Sequence, residues 1–214
     1  APADPEVVDE VEAELQNSQG IIVPIGATEQ HGPTGLIGTD AICAETLAWR
    51  TGELVEGIVG PTLAVGMSEH HMHFPGSVTL RPTTLIRVIR DVILSLARHG
   101  FPPFFFINGH GGNTASINAA FFEVYTEAPR LLKDGDAVRC LNGEWWSTPS
   151  AEKLSKELFG DRDGDHATAS EVSIAAAAYP DQVKTAVLNP EVPPSGRLFG
   201  PADFRMRYPD GRMG

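Results

Sequence analysis

One segment, residues 83–113, constrains the fold of this chain most strongly, because a helix, a buried strand and a glycine-rich loop follow one another there. Thr83 to His99 carries apolar residues at the three- and four-residue spacing of an amphipathic helix, and Gly100 provides a stop. Pro103 to Asn108 is continuously apolar, which is typical of a central parallel strand covered by helices on both faces. We therefore predict an α/β fold, a three-layer sandwich around a mostly parallel sheet.

The same alternation of strands and helices continues on both sides of this segment. Further strands are predicted from Ile21 onward, at Ile58 to Val65 and at Ala137 to Leu141. Further helices are predicted in the alanine-rich stretch before Pro180 and at Val7 to Gln16, Ala41 to Leu54, Thr114 to Tyr125 and Ala151 to Phe159. All of residues 1–214 are expected to form one domain, in which the Pro- and Gly-rich residues 181–214 are an extended tail on the surface or on a neighbouring subunit.

Composition argues against several classes of partner. The 214 residues carry a net charge of −12 and a pI near 4.9, so nucleic acid or an anionic membrane surface would be repelled. No apolar run approaches the roughly 18 residues of a transmembrane helix, and the start, APADPEVVDE, lacks the basic and apolar parts of an export signal. Cys43 and Cys140 form no C-x-x-C arrangement, so we expect no disulfide and a cytoplasmic protein.

The loop after the first strand carries the first candidate chemistry. Glu29, His31 and Asp40 lie close together in the sequence, and a buried strand aims their loop at one point, so the three side chains can converge. Carboxylates and imidazole together suit Zn, Mn or Fe, and an aspartate with two free oxygens can bridge two ions. The alternative is a polar loop in which Thr39 or Asp40 only caps the next helix.

Two further loops carry histidines. His110 lies in the GHGGN loop directly after the central strand, where open α/β sheets bind their ligands, and the neighbouring glycines let the backbone approach a bound group. An incidental histidine in a strand-to-helix turn is the alternative. The loop after Val65 carries His70, His71 and His73, and each of these is either a metal ligand or a solvent-exposed imidazole.

Polar and aromatic residues also gather in the second half of the chain. Asp165, His166 and Glu171 lie at the entrance to the alanine-rich helix, in a segment with too few large apolar residues to be only core. Asp165 or Ser170 could equally be only a cap of that helix. Trp145 and Trp146 follow the last predicted strand and suit the wall or lid of a pocket, with core packing as the alternative.

Five motifs in order, IGATEQHGP with GTD, HFPGSVTLRPTTL, ARHG, INGHGGN and DHATASEVS, resemble those of the creatininase (creatinine amidohydrolase) family from about Ile21 to Tyr179. The resemblance implies a two-metal site whose ligands are Glu29, His31, Asp40 and His110. The aspartate would bridge both ions, and His166 would be the acid–base histidine. The resemblance also implies a homo-oligomer, specifically a hexamer.

The chain departs from the creatinine-hydrolysing members at Gly112, where those enzymes carry a metal-binding glutamate. We expect that ligand to be absent or replaced, with Glu171 as the candidate. The GHGGN form resembles instead branches that include a formamide deformylase of flavin-type cofactor synthesis and a peptidase of mycofactocin maturation, whereas Trp146 resembles the lid tryptophan of creatininase. The residues expected to contact substrate are His71, Gly111, Gly112, Asn113 and Trp146.

These expectations combine into a metal-dependent amidohydrolase that acts on a small amide, either cyclic or formamide-type. Two divalent ions, Zn, Mn or Fe, would share a water and lower its pKa, so that hydroxide forms beside the carbonyl of the C–N bond. His166 would pass the proton to the leaving nitrogen, oriented by Asp165 or Glu171. Two alternatives remain: a peptidase of the same family that acts on a short peptide, and a non-catalytic module that binds a ligand through a degenerate site.

Overall fold

The computed structural model of the chain describes residues 10–15, 20–101 and 103–214. Its sheet has four parallel strands in the order β2-β1-β3-β4. The strands are β1 (Ile21–Ile25), β2 (Ile58–Val59), β3 (Phe104–Asn108) and β4 (Cys140–Glu144). The α-helices of the described residues are α1 (residues 10–15), α2 (Thr39–Val55), α3 (Pro82–Arg98), α4 (Thr114–Leu131), α5 (Pro149–Phe159), α6 (Ala169–Ala178) and α7 (Pro201–Arg207).

Helices cover both faces of the sheet, which confirms the predicted α/β class. Val23 of β1 and Phe106 of β3 pack on one face against α3 and α4. Ile22 and Ile107 point to the other face, where they pack on Ala48 of α2. Since successive residues of a strand point to opposite faces, a strand covered on both sides must be apolar at every position. This explains the unbroken apolar runs of β1 and β3.

α3 lies within one residue of its predicted bounds at each end. Pro82 occupies the start of the helix, where its missing N–H breaks no helical hydrogen bond. Leu85, Ile89 and Ile93, spaced four residues apart, are fully buried and form the stripe that faces the sheet and α4. Burial of each such side chain stabilises the fold by roughly 1.5–3 kcal/mol.

β2 is much shorter than the predicted strand, which was expected to reach Val65. It ends at Val59, because Pro61 has no N–H to donate to a ladder of hydrogen bonds. The chain still follows β1, since the N–H of Leu63 donates to the carbonyl of Pro24 at 2.9 Å. The apolar run from Ile58 to Val65 therefore leaves the sheet, and the histidine loop begins, earlier than the hydrophobicity of this run indicates.

β4 begins three residues later than predicted. The segment Gly135–Ala137 forms a 3-10 turn, so the strand starts at Cys140 and continues beyond Leu141 to Glu144. Because Asn108 and Glu144 are paired at the ends of β3 and β4, both strands finish at the same edge of the sheet.

α2 begins at Thr39, and neither Thr39 nor Asp40 caps it, contrary to one of the sequence interpretations. The N-cap residue is Gly38, which makes no side-chain cap bond. Oγ1 of Thr39 donates instead to the carbonyl of Leu36 at 2.7 Å. Asp40 lies in the first turn, so its carboxylate is not used as a cap and can face the end of the sheet.

The remaining helices differ from their predicted bounds at the ends. α4 continues beyond Tyr125 to Leu131 and includes Pro129 in its last turn. α5 begins at Pro149, two residues earlier than predicted. Of the predicted helix Val7 to Gln16, residues 10–15 are helical and the others lie outside the described residues. Among the described helices, none combines the length and apolar character needed to cross a membrane.

The segment after Pro180 is only partly extended. Residues 183–200 contain neither helix nor strand, as predicted, but Pro201–Arg207 forms α7. Phe204 and Tyr208, one helical turn apart, are buried together with Phe74. The prediction of a wholly extended tail is therefore wrong, because the apolar residues of this segment share one helical face and can be buried only as a helix.

Candidate metal centre

The candidate site lies at the carboxyl ends of β1 and β3, where the first turn of α2 meets them. A Cβ at Gly109, the residue after β3, would lie 2.2 Å from the carbonyl oxygen of Asp40, so only glycine allows α2 to approach this closely. The contact places Asp40 beside His110. Glu29 and His31, from the loop after β1, reach the same point, and all four of these polar side chains belong to residues that are at most 6% exposed.

Each oxygen of the Asp40 carboxylate faces a different imidazole. Oδ1 lies 2.8 Å from Nε2 of His31, and Oδ2 lies 3.1 Å from Nδ1 of His110. Oε1 of Glu29 lies 3.4 Å from the same Nδ1 of His110. A carboxylate between two imidazoles has the arrangement that a ligand shared by two cations requires.

A backbone carbonyl holds the outer nitrogen of each of these two rings. Nδ1 of His31 donates to the carbonyl of Glu29 at 3.2 Å, and Nε2 of His110 donates to the carbonyl of Met67 at 2.9 Å. Such a bond fixes the tautomer of a ligand histidine and leaves a lone pair on the inner nitrogen. The inner nitrogens here are the two that face Asp40.

His166 is held in the same way. Its Nε2 donates to the carbonyl of Gln30 at 2.9 Å, and its Nδ1 lies 3.6 Å from Oε1 of Glu29. Burial, together with the nearby His31 and His71, holds the pKa of His166 well below its usual range. The neutral ring therefore directs a lone pair at the cluster.

The three histidines of the loop after β2 have different environments. His71 is 1% exposed, and its Nε2 lies 3.1 Å from Oε1 of Glu29. His70 is half-buried, and its ring stacks at 5.9 Å on the ring of His110. Burial and neighbouring histidines lower the pKa of His71 to about 3 and the pKa of His70 to about 4. His73 is exposed, so this histidine alone of the three fits the solvent-exposed alternative.

Several buried atoms of the cluster have no hydrogen-bond partner among the residues that the structure describes. They are both carboxylate oxygens of Glu29, Oδ2 of Asp40 and Nε2 of His31. These atoms lie close to one another but are not aligned as hydrogen bonds. An unsatisfied buried polar group costs about 1–3 kcal/mol, and carboxylate with imidazole is the donor set that suits Zn, Mn or Fe. The residues therefore fit a divalent metal site.

Glu29 is common to every candidate ligand group found in the described part of the chain. In each group, one ligand atom per residue lies within 4.8 Å of the others. The groups are Glu29 with His31 and Asp40, Glu29 with His70 and His110, and Glu29 with His71 and His166.

In the protein without metal, the inner nitrogens of His31 and His110 are protonated. Burial by itself would lower the pKa of His31, but Asp40, assisted by Glu171 and Glu29, raises it to about 10. At His110, Glu29 and Asp40 likewise outweigh burial and raise the pKa to about 9. Burial opposes the ionisation of Asp40, yet the two imidazoles hold the pKa of its carboxyl well below its usual range. The charge of the carboxylates is thus balanced by two imidazolium rings.

Gly112 leaves no room for the metal-binding glutamate that the family resemblance leads one to look for at this position. A Cβ at this position would lie 2.3 Å from Nε2 of His110 and 2.6 Å from the carbonyl oxygen of Met67. These two atoms form the hydrogen bond that fixes the His110 ring. Any side chain at position 112 would disturb this bond, so the departure alters the surroundings of His110 and does more than delete one ligand.

Glu171 takes part in a capping box. Its Oε2 accepts a hydrogen bond from the N–H of Thr168, and Oγ1 of Thr168 accepts one from the N–H of Glu171. Thr168 therefore caps α6, and Asp165 does not. Burial raises the pKa of Glu171, and the role of Glu171 as a replacement ligand stays a prediction. Asp165 is exposed, whereas Gln30 contacts the His166 ring, so the orienting role expected of Asp165 has no contact to support it.

A cleft of about 1220 Å³ opens beside the cluster, between the ends of β3 and β4 and helices α5 and α6. Of the residues expected to contact substrate, four line this cleft, namely His71, Gly111, Gly112 and Trp146. Their contact with substrate stays a prediction. Asn113 is fully buried, with its Nδ2 donating to the carbonyl of Gly26 and its Oδ1 accepting from the N–H of Met67. Asn113 therefore joins two loops and does not face the cleft, contrary to expectation.

The sequence analysis did not predict that Gln30 and Phe204 of the C-terminal segment contact the histidine cluster. Gln30 is buried, and its side chain reaches His71, His166 and the backbone of Gly211. The ring of Phe204 lies 4.7 Å from the ring of His71 and covers the histidine cluster. The position of Gln30 between two candidate ligands was an available signal, whereas the contact of Phe204 follows only from the tertiary fold.

Gly211 provides a test of the packing around Gln30. A Cβ at Gly211 would lie 1.8 Å from Oε1 of Gln30, and the residue has a φ of +87°. Gly100 has a similar φ of +90° but nothing within 4 Å, so Gly100→Ala is a control that keeps the backbone strain alone. We expect Gly211→Ala to lower the free energy of unfolding by about 1–3 kcal/mol more than Gly100→Ala does, because of overpacking. Equal losses in urea unfolding would contradict the described contact.

Comparison with known proteins gives matches both in sequence and in solved structures. A sequence profile described as creatininase, creatinine amidohydrolase, matches residues 7–214. Creatinine amidohydrolase of Pseudomonas putida is 29% identical over 170 residues, which are 76% of this chain and 65% of that protein. Mycofactocin precursor peptide peptidase of Mycolicibacterium smegmatis is 30% identical over 174 residues, which are 77% of this chain and 60% of that protein. The chain thus spans less than two thirds of the length of these relatives.

Solved structures agree with the sequence comparison. A crystal structure of creatinine amidohydrolase (creatininase) has a TM-score of 0.79 at 24% identity and covers 97% of this chain and 84% of its own, which is a likeness of fold alone. A structure described as "Creatininase Mn" has a TM-score of 0.70 at 28% identity, with coverage of 83% of this chain and 72% of its own. The profile match spans nearly all of the sequence, including every motif that contributes to the candidate metal centre. The chain therefore belongs to the creatininase family.

Proposed function

We propose that this chain carries the active site of a metal-dependent hydrolase that cleaves the C–N bond of a small amide, with two divalent ions held by Glu29, His31, Asp40 and His110. The observation that carries the proposal is the Asp40 carboxylate, because each of its oxygens faces a separate imidazole whose outer nitrogen is fixed by a carbonyl. Relatives named as an amidohydrolase and a peptidase support hydrolysis as the reaction class.

In this proposal some residues bind the metal ions and His166 transfers a proton. When bound, divalent ions polarise a carbonyl group and make water acidic enough to lose a proton near neutral pH. His166 accepts that proton at Nδ1, the nitrogen that carries the lone pair, and returns it to the leaving nitrogen. The Gln30 carbonyl keeps the ring in this tautomer throughout. Trp145 and Trp146 line the cleft beside the cluster.

We expect creatinine to be a poor substrate or none. With no glutamate at position 112 and no space for one, a second ion bound here would have a different set of ligands and a different space beside it. The measurement is steady-state hydrolysis of creatinine with Mn or Zn in excess, where a kcat/KM of about 10⁴ M⁻¹s⁻¹ or more would refute the expectation. Gly112→Glu should not improve this activity, because its side chain displaces the bond between His110 and Met67.

A peptidase of the same family is the second candidate, and the size of the cleft favours it. At about 1220 Å³ the cleft is larger than a small cyclic amide needs, since pockets for drug-sized ligands occupy roughly 300–1,000 Å³. The Mycolicibacterium smegmatis peptidase, at 30% identity, points in the same direction. A screen of cyclic amides, formamides and short peptides, followed by mass spectrometry, separates the two candidates by the bond that is cleaved.

Metal analysis tests the enzyme against the non-catalytic alternative. The protein is purified, reconstituted with Zn, Mn or Fe and freed of excess ion, and its metal content is measured by mass spectrometry. We expect about two ions per chain, as a shared carboxylate predicts. A content near zero in every case would reject the proposed enzyme and favour a degenerate ligand-binding module.

Metal binding is expected to release protons and to strengthen as the pH rises. At pH 7 both His31 and His110 are protonated, since their pKa values are about 10 and about 9, and a ligand histidine must be neutral. Binding should therefore release about two protons per chain, and affinity should increase with pH until it passes about 9–10. Calorimetry in two buffers of different ionisation enthalpy measures the number released. Binding without proton release would show that these rings are not the ligands.

The proposal also includes an oligomeric state and a cellular compartment. A homo-oligomer, with a hexamer as the form that the family resemblance implies, and a cytoplasmic location are carried over as expectations. A small-molecule amide remains the proposed partner, and the net charge of −12 argues against nucleic acid and anionic membranes.

A further inference from the structure

The surroundings of the four buried rings near Glu29, those of His31, His71, His110 and His166, follow a rule with one exception. In His31, His110 and His166 the outer nitrogen donates to a backbone carbonyl, so the inner nitrogen is the one that has a lone pair whenever the ring is neutral. Within the described residues, no carbonyl accepts a hydrogen bond from the outer nitrogen of His71. Its Nδ1 lies 3.0 Å from Nε2 of Gln30, which is an amide nitrogen and can only donate.

The orientation of the Gln30 amide is determined by two backbone groups that do not belong to the cluster. The N–H of Gly32 donates to Oε1 at 2.8 Å, and Nε2 donates to the carbonyl of Gly211 at 2.9 Å. If the amide were flipped, its oxygen would face the carbonyl oxygen of Gly211, and its NH₂ group would face the N–H of Gly32. Neither pair could form a hydrogen bond. The amide nitrogen must therefore point to the histidines.

The two hydrogens of this nitrogen can then be assigned. One is donated to the carbonyl of Gly211. Nε2 of His166 also lies close, at 3.1 Å, but it carries its own hydrogen for the carbonyl of Gln30 and cannot accept. The second hydrogen consequently goes to Nδ1 of His71. A ring whose Nδ1 accepts a hydrogen bond carries its proton on Nε2.

We propose that Gln30 is a positioning residue that fixes His71 in the Nε2–H form, so that His71 presents an N–H to Glu29 and is not a metal ligand. The nearest acceptor of this N–H is Oε1 of Glu29, at 3.1 Å. The two atoms are close but not aligned as a hydrogen bond, so the N–H faces Oε1 without being bonded to it, and a protonated Nε2 has no lone pair to offer a cation. Of the three candidate ligand groups, the one with His71 and His166 thus loses a member. The consequence for the ligand set rests on the proposed function, whereas the tautomer does not.

The experiment is a long-range nitrogen–proton correlation spectrum of the histidine rings in ¹⁵N-labelled protein, recorded before and after loading with Zn. His71→Asn identifies the signals of His71 by their loss. We expect Nε2 of His71 to be protonated and Nδ1 to be unprotonated in both spectra. A proton on Nδ1 in the wild type, or a shift of Nε2 typical of Zn coordination, would overturn the inference.

A substitution at Gln30 provides an independent measurement. Gln30→Glu keeps the shape of the side chain but can only accept, so the proton of His71 should move to Nδ1. Gln182→Glu, at an exposed position, is the matched control for the change of charge and should leave the ring signals unchanged. An unmoved His71 proton in folded Gln30→Glu protein would overturn the inference. If the wild type binds no Zn but has the Nε2–H form, the inference stands and the proposed function fails.

Discussion

Asp40→Ala is expected to leave the purified protein without bound divalent metal and to lower hydrolytic turnover by about 10³-fold or more. Its two oxygens face His31 at 2.8 Å and His110 at 3.1 Å, so one substitution removes a ligand from both ions. A metal ion contributes several kcal/mol of transition-state stabilisation, and each 1.36 kcal/mol corresponds to a tenfold change in rate. The measurements are metal content by mass spectrometry and turnover of whichever amide the screen identifies.

Two comparisons make this result specific to a shared ligand. His31→Ala and His110→Ala each remove one imidazole, so each should retain part of the metal that Asp40→Ala loses. Asp181→Ala, at an exposed carboxylate, should behave like the wild type. If Asp40→Ala kept the wild-type metal content, the two-ion arrangement would be wrong.

His166→Ala is expected to retain its metal and to lose about 10²–10⁴-fold in turnover, which is the usual contribution of a positioned acid or base. The neutral ring has its lone pair on Nδ1, which lies 3.6 Å from Oε1 of Glu29. The hydrogen bond from Nε2 to the Gln30 carbonyl fixes the ring in this orientation. The two quantities, metal content and rate, are measured on the same preparation so that they can be separated.

The exposed His73, on the loop that also carries His71, provides the matched control for loss of an imidazole, and His73→Ala should retain full activity. A joint loss of metal and activity in His166→Ala would make His166 a ligand, as its place beside Glu29 and His71 also permits. Wild-type turnover in His166→Ala would remove this residue from the mechanism.

The sequence was sufficient to predict the parts of the site that follow from strand order. β1 and β3 are unbroken apolar runs, and a parallel strand presents the loop after its carboxyl end to the same edge of the sheet as its neighbours. Glu29 and His110 could therefore be expected to meet. Their types, a carboxylate and an imidazole, then indicated a metal.

The parts that could not be predicted depend on contacts between distant segments. Gln30 neither titrates nor ligates readily, so its sequence position between two candidate ligands was a signal but its residue type was not, and its contacts with two backbone groups and two rings follow only from the fold. Asn113 was assigned to substrate because of the glycine-rich loop around it, yet its amide joins Gly26 to Met67. A sequence pattern shows which residues share a loop, whereas the direction of each side chain depends on the tertiary packing.

The bond between Gln30 and Gly211 joins residues that are 181 positions apart, and the bridge between His166 and Met213 adds a second late contact. During synthesis β1, β2 and β3 can pair as soon as Asn108 has left the ribosome, but these two contacts must wait for another hundred or so residues. Contacts of such long sequence separation also form slowly, because closing a long loop has an entropic cost. We expect the nascent protein to pass through a stage with a folded sheet and an open histidine cluster, in which His71 is still free to bind metal.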